Sequence, residues 1–367
     1  MNVIISRDEL QKRLADIQSV VDKKTTMPIL GHFLLSAGEK PFVSATDLET
    51  AIKEPVTLQE VKEGGELCIP ARKLYEIVRE VEGDIKIESE GVEWVKLKAG
   101  KSNFRLACMN PEDFPKWPGL SDKVDVEIEA GKLLNMIEKT LYSAGESDSR
   151  YTLNSLLFHI KPQEKTFTVI GTDGHRLSAI NDTIEVETEQ EIKVIVPRKS
   201  ASELRKFLSS EEGGIRMEIA TNHVAFNIGE IQFLVRLIEG TYPNYEQVIP
   251  VGNEKIIGIL REEFIKSLRR VSVISRDHSN AVKIDVSTGA LTFTASNPDI
   301  GEAKDEVRID YEGEGVSLGF NARYLLDALN ALTAEKVIFE VQEALSTTLL
   351  REEGNENYKC VIMPMRI

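Results

Sequence analysis

Phe42-Val-Ser-Ala-Thr-Asp47 recurs twice along the chain, as Phe167-Thr-Val-Ile-Gly-Thr-Asp173 and as Leu291-Thr-Phe-Thr-Ala-Ser-Asn297. Each copy is a strand-forming run that ends in a Thr-Asp or Ser-Asn turn. The turn residues Asp47, Asp173 and Asn297 lie 126 and 124 residues apart. That spacing is too long for a solenoid unit and is the size of a whole domain.

A second series keeps the same period. Leu67-Cys-Ile-Pro-Ala-Arg-Lys-Leu74 matches Ile195-Val-Pro-Arg-Lys199 and Leu318-Gly-Phe-Asn-Ala-Arg323. Each reads as a strand feeding a helix, and proline suits a helix start because the N–H it lacks is not needed there. Amphipathic stripes form a third series: Leu10, Leu14, Ile17 and Val21; Leu134, Ile137 and Leu141; Phe264, Leu268 and Val271. Asp113-Phe-Pro115 is echoed by Thr241-Tyr-Pro243. The expected fold is α+β: three repeated domains, 1–124, 125–253 and 254–367, each with two helices packed on antiparallel sheets. Hairpins such as Val224–Ile228 with Ile231–Val235 supply the strands.

Composition sets the outer limits. The 367 residues are 41% hydrophobic and 29% charged, ordinary for a globular chain. A formal charge of −15 argues against a surface that binds nucleic acid everywhere, though not against a local basic face. Cys68, Cys108 and Cys360 are far apart, which suggests neither a disulfide framework nor a zinc site and suits a reducing, cytoplasmic setting. Charge arrives by Arg7, so the N-terminus does not read as a signal peptide. No apolar run reaches the ~18 residues of a membrane span.

The charge is unevenly spread. Six helices expected at 7–24, 71–81, 131–142, 198–208, 261–270 and 322–330 together carry +8, leaving −23 elsewhere. On 198–208 the apolar positions Ala201, Leu204, Phe207 and Leu208 leave Arg198, Lys199, Arg205 and Lys206 on the other face. Such a face is either a solvated helix surface or one part of a site for a polyanion.

Catalytic signals are poor. Gly100-Lys101-Ser102 lacks the glycine that a phosphate loop needs five residues earlier, where Val95 stands. Gly315-Val-Ser317-Leu-Gly319 reads as a plain strand, with no histidine after His278 to complete a triad. Thr172-Asp-Gly-His-Arg176 keeps the repeated turn, but His175 and Arg176 are peculiar to the second copy. They fit partner binding or, less naturally, acid–base chemistry with Asp173. The terminal Met363-Pro-Met365 is either core packing or an adaptable apolar docking surface. No metal or cofactor site is expected.

These strings together resemble one family. Met27-Pro-Ile-Leu-Gly31, Ala45-Thr-Asp-Leu-Glu49, Pro70-Ala-Arg-Lys73, Thr172-Asp-Gly-His-Arg-Leu177, Val196-Pro-Arg-Lys199, Leu329-Asn-Ala-Leu332 and Val361-Ile-Met-Pro-Met-Arg366 are similar to the bacterial β sliding clamps, in order and over the whole chain. The resemblance implies a head-to-tail homodimer closed into a ring around double-stranded DNA. Such a ring is a non-catalytic processivity factor needing no cofactor, and it slides without reading bases. Implied partners are the DNA polymerase III alpha subunit, the clamp loader, other DNA polymerases, and mismatch-repair and ligase proteins.

These partners would share one peptide cleft between domains two and three. Its implied residues are Leu153, Thr172, Gly174, His175, Arg176, Leu177, Pro243, Val248, Asn321, Tyr324, Leu345, Val361, Met363, Pro364, Met365 and Arg366. Glu246, Gln247 and Ser279 depart from residues found in some members and would alter peptide preference at that edge. DNA-facing candidates are Lys24, Arg72, Lys73, Arg198, Lys199, Arg205, Lys206 and Arg269. At the dimer interface Phe104, Arg105 and Leu106 would meet Val273 and Ile274, with Lys98, Lys101 and Arg105 near Glu302, Asp305 and Glu306. An enzyme using Asp173 and His175, or a peptide adaptor that never meets DNA, are the alternatives.

Overall fold

The computed structural model describes residues 1–21, 26–275 and 280–366. One order of elements runs through it three times. In the first copy β1 (Asn2–Ser6) enters α1 (Arg7–Ile17), followed by β2 (His32–Ser36), β3 (Phe42–Thr46), β4 (Thr50–Pro55), a short β5 (Glu60–Glu63) and β6 (Glu66–Pro70). Then come α2 (Ala71–Glu80), β7 (Asp84–Glu90), β8 (Trp94–Ala99) and β9 (Ser102–Ala107).

The second copy runs β10 (Val124–Glu129), α3 (Ala130–Leu141), β11 (Ser155–Lys161), β12 (Thr166–Thr172), β13 (Arg176–Thr183) and β14 (Ile192–Pro197). It continues with α4 (Arg198–Leu208), β15 (Gly214–Ile219), β16 (His223–Ile228) and β17 (Ile231–Arg236). The third runs β18 (Lys255–Leu260), α5 (Arg261–Ser275), β19 (Ala281–Ser287), β20 (Ala290–Asn297), β21 (Gly301–Arg308) and β22 (Val316–Asn321). It ends with α6 (Ala322–Ala331), β23 (Lys336–Val341), β24 (Thr348–Glu352) and β25 (Tyr358–Ile362).

Each copy forms two antiparallel arrangements of the same kind. These are β6-β2-β3-β4 with β1-β7-β8-β9, β14-β11-β12-β13 with β10-β15-β16-β17, and β22-β19-β20-β21 with β18-β23-β24-β25. Backbone pairing then joins the copies. Strand β17 pairs with β4, and β13 pairs with β25, so two eight-stranded sheets form. The chain divides into two compact units, Met1–Gly131 with Glu203–Leu237 and Lys132–Ser202 with Ile238–Ile367. The second copy thus gives one arrangement to each unit.

The repeated turn has a physical cause in each copy. The Asp47 carboxylate accepts from the Glu49 and Thr50 N–H groups at 3.0 and 2.7 Å. Asp173 accepts from His175 and Arg176 at 2.9 and 3.0 Å, and Asn297 accepts from Asp299 at 2.9 Å. The side chain caps its own turn, which is why only Asp or Asn stands there.

The helices bury their stripes. Leu10, Leu14 and Ile17 of α1 are buried, as are Ala201, Leu204, Phe207 and Leu208 of α4 and Phe264, Leu268 and Val271 of α5. Each large side chain contributes roughly 2 kcal/mol. Two expectations need correction. Helix α1 ends at Ile17 rather than at 24, and Val20 is buried from a turn held by its N–H on the Ile17 carbonyl at 3.2 Å. In α3 it is Leu133, not Leu134, that is buried beside Ile137 and Leu141. Elsewhere Gly100 turns the β8–β9 hairpin at φ 54°, and Ser317 lies within β22, as the sequence suggested.

Candidate functional site

The site grows from the β13–β25 junction. Pairing sets Arg176 opposite Ile362 and Leu177 opposite Val361. One residue further, the Met363 N–H donates to the His175 carbonyl at 2.9 Å, and the Met365 N–H donates to that of Gly319 at 2.8 Å. The terminal segment Met363–Arg366 is therefore held against the Asp173 turn and the end of β22. Beneath it lies one apolar cluster containing Leu177, Val361, Leu349, Ile170, Tyr242 and Tyr245, with Val248 packed on its margin.

The turn itself is rigid. Thr172 Oγ1 donates to the Arg176 carbonyl at 2.6 Å and accepts from the Gly174 N–H at 3.1 Å. Gly174 sits at φ 84°, and a Cβ there would stand 2.8 Å from Arg150 Nη2. The positive φ favours glycine, and a side chain here would have to push the Arg150 guanidinium aside. That guanidinium donates to the Asp173 carbonyl at 3.1 Å and grips Asp148 through Nε and Nη2 at 3.0 and 2.8 Å. The pairing holds the Asp148 carboxyl down at about 2.

His175 and Arg176 do different things. His175 is exposed and its ring lies near-parallel to Tyr324 of α6, 6.2 Å away. Arg176 is buried. Its Nε donates to Asp173 at 3.1 Å, its Nη1 to Asp327 of α6 at 2.6 Å, and its Nη2 to the Tyr142 carbonyl at 2.7 Å. Its guanidinium also lies 4.5 Å from the Tyr324 ring centre. Arg176 therefore positions the site from below, while His175 and Tyr324 present a ring surface above it.

Among the other expected residues, Leu153 is buried, Asn321 caps α6 by accepting from the Arg323 N–H at 2.9 Å, and Pro364 is half-buried. Pro243, Leu345 and Arg366 are exposed. Glu246 is held by Lys161 at 2.9 Å, which lowers its pKa, and Gln247 is exposed. Ser279 lies outside the described residues. Sequence reasoning missed Arg150, Asp327 and Tyr142. Arg150 and Tyr142 lie 26 and 34 residues from Arg176, and Asp327 lies 151 away, so no local spacing marks them.

Three matches fix the family. Residues 1–118, 127–244 and 246–366 match the N-terminal, central and C-terminal domains of the DNA polymerase III beta subunit. The chain belongs to the DNA polymerase III beta subunit family. It is 34% identical to the beta sliding clamp of Pseudomonas putida, over the whole of both chains. The crystal structure of the Pseudomonas aeruginosa beta subunit superposes with a TM-score of 0.95 at 31% identity, again over all of both chains. A Bartonella birtlesii sliding clamp bound to griselimycin gives 0.95 at 32%, with both chains fully covered.

The other residues expected from this family fall as follows. On α4 Arg198 donates to the Ala144 carbonyl at 2.5 Å and to Glu146 at 2.9 Å, Lys206 pairs with Glu203 at 2.6 Å, and Arg205 is half-exposed. Lys199 is exposed on the same helix. Arg72 and Lys73 of α2 both reach Glu76, at 2.8 and 2.7 Å, and Arg269 of α5 is exposed. Lys24 lies outside the described residues. With its observed end α1 carries as many acids as bases, because the expected +1 counted Asp22, Lys23 and Lys24; α4 keeps +3.

Two open edges complete the picture. Strand β9, with Phe104, Arg105 and Leu106, is one edge of the five-stranded sheet. Strand β21 is an edge of the four-stranded sheet. Each leaves backbone donors and acceptors free to pair. Val273 is 61% exposed, and Ile274 is half-buried. Arg105 reaches Glu90 at 2.7 Å and lies over the Trp94 ring at 3.9 Å, while Asp305 accepts from Arg270 Nε at 2.6 Å. Both already have a partner within one chain.

Proposed function

We propose that the chain is a DNA sliding clamp: a non-catalytic ring of two copies that encircles duplex DNA, gives the replicative polymerase its processivity and docks partners through the Asp173–Met363 cleft. The full-length, three-domain match to clamps carries this reading. The ring has three clamp domains per copy, 1–124, 125–253 and 254–367, and works in the cytoplasm. Head-to-tail joining uses the open edges β9 and β21, two different patches that close a ring.

Sliding needs weak phosphate attraction without base contacts, and α4 with its +3 charge suits that. Encirclement then gives retention without tight binding. Partners are the polymerase III alpha subunit, the clamp loader, other DNA polymerases and repair and ligase proteins, each through a short peptide with an apolar tail. The site's floor of Leu177, Val361 and Tyr242 and its ring surface of His175 and Tyr324 suit such a tail.

The deciding experiment loads the protein on nicked circular DNA with a clamp loader. Retention on the circle and rapid loss after linearisation are expected. Equal release from both forms rejects encirclement, and turnover that disappears in His175→Ala would make the protein an enzyme instead. Charge reversal at Arg198, Lys199 and Arg205 should slow loading; no change at low salt would reject the role given to α4.

A further inference from the structure

The β13–β25 junction that builds the candidate cleft has an internal counterpart. At β4–β17 the pairing sets Thr50 opposite Val235, and the Arg236 N–H donates to the Glu49 carbonyl at 2.7 Å. This is the bond that the Met363 N–H makes to His175, moved by one repeat. Thr46, Leu48 and Glu49 stand where Thr172, Gly174 and His175 stand in the second copy, and Phe114-Pro115 stands where Tyr242-Pro243 does. These residues line a cavity of about 340 Å³ together with Trp117, His223 and Arg236. The volume is at the lower end for ligand pockets and accommodates one large side chain.

Two features are more than an echo. Leu48 occupies the glycine position at φ 73°, yet its side chain is 46% exposed at the cavity. A leucine held in the left-handed region costs roughly 1–2 kcal/mol, and such strain gathers at binding sites. Around the apolar wall of Leu48, Phe114 and Trp117 stand two cations, Lys116 and Arg236, both exposed. No ion pair engages either of them among the described residues. Arg236 also pushes the His223 pKa down, after burial, so the rim is positive. Among the described residues Glu49 is the one acid lining it, on a chain of −15.

We propose that this cavity is a second docking site, which takes an acidic peptide segment through one large apolar side chain and a neighbouring carboxylate. The apolar group sits on Phe114, Trp117 and Leu48, and the carboxylate pairs with Arg236 and Lys116. Charge complementarity selects an acidic segment over a basic one. The inference rests on the internal repeat and stands whether or not the protein encircles DNA.

The test uses the full chain and a fluorescein-labelled acetyl-Asp-Glu-Leu-Phe-Asp-Glu-amide peptide, read by anisotropy. Saturable binding is expected, about tenfold weaker in Arg236→Glu and in Trp117→Ala, and restored towards normal in Arg236→Lys. A His175→Ala/Met363→Ala double variant should keep this binding, and a peptide with lysines for its acids should not bind. Thermal melts of each variant check that the fold is intact. Unchanged affinity in Arg236→Glu overturns the proposal. So does loss confined to the double variant, which would place the peptide in the other cleft. If short duplex DNA displaces the peptide and itself needs Arg236, the cations read phosphate and the peptide site is rejected.

Discussion

Arg176→Ala tests how the candidate cleft is held together. The side chain is 9% exposed and satisfies three acceptors: Asp173, Asp327 and the Tyr142 carbonyl. Its removal takes this donor from Asp327 and the Tyr142 carbonyl and leaves Asp173 with its backbone N–H donors alone. Stranding a buried partner costs about 3–5 kcal/mol. The low end applies, because Asp327 is 31% exposed and rehydrates, and Arg323 Nε stands 4.0 Å from it. The expected loss is therefore about 3 kcal/mol, or on the order of 1 M in the urea midpoint of the transition that involves this unit. Arg176→Lys should recover only part of it, since an ammonium cannot span acceptors on three elements.

A double-mutant cycle with Asp327→Asn isolates the link between β13 and α6. A coupling of about 1–3 kcal/mol is expected. Peptide affinity at the cleft should fall in Arg176→Ala even though the guanidinium points inward, because the His175 carbonyl that holds Met363 belongs to the turn it anchors. The reasoning is refuted if the two substitutions are additive and the midpoint stays within about 0.3 M of the parent.

Three further outcomes follow from other parts of the chain. Burial pushes the Glu54 carboxyl up to about 7 from an ordinary 4.5, with Asp16 adding to the rise and Arg13 opposing it. The folded state therefore holds this proton more tightly than the unfolded chain, so stability is lost as pH rises from 4.5 to about 7. Glu54→Gln mimics the protonated form and should raise the melting temperature at pH 8 relative to the parent but not at pH 4.5, with a ceiling of about 3 kcal/mol; an equal change at both rejects the assignment. Leu48→Asn should stabilise by about 1 kcal/mol in denaturant titrations, because asparagine tolerates a positive φ, and should weaken binding at the second cavity. Gly171→Ala would drive a Cβ into the Thr140 carbonyl and against Leu156, costing about 3 kcal/mol by thermal melt, whereas Gly91→Ala meets nothing within 4 Å and should cost only its φ strain.

The sequence shows the repeat because the turn depends on side chains. Asp47, Asp173 and Asn297 each accept their own backbone N–H groups, so the residue type is fixed and recurs. The joining of copies leaves no such mark. Strands β4 and β17, and β13 and β25, are tied by backbone hydrogen bonds, which any residue but proline can make. Hence the motif could bring Leu177 and Val361 to one list but could not tell that they face each other across a strand pair, nor that Arg176 turns inward to Asp327. The end of α1 was misjudged for a related reason. Val21, the last of the expected stripe, is half-buried in a turn that follows the helix, where its N–H reaches the Gln18 carbonyl at 3.3 Å, so the apolar spacing outlasts the hydrogen bonds that define the helix.

The same difference separates the two cavities. His175 and Arg176 stand out in the sequence because they break the pattern of the other copies. Leu48 and Glu49 read only as the plain copy of that turn, since a leucine and a glutamate look ordinary there. Only the backbone angle makes Leu48 unusual, and only the bond from Arg236 to Glu49 shows that the two junctions are built alike. A fold that repeats its junction repeats its hollow as well. Divergence of the lining, from Gly174, His175 and Met363 to Leu48, Glu49 and Arg236, then changes what the hollow attracts: an adaptable apolar surface in one, and an apolar wall with a cationic rim in the other.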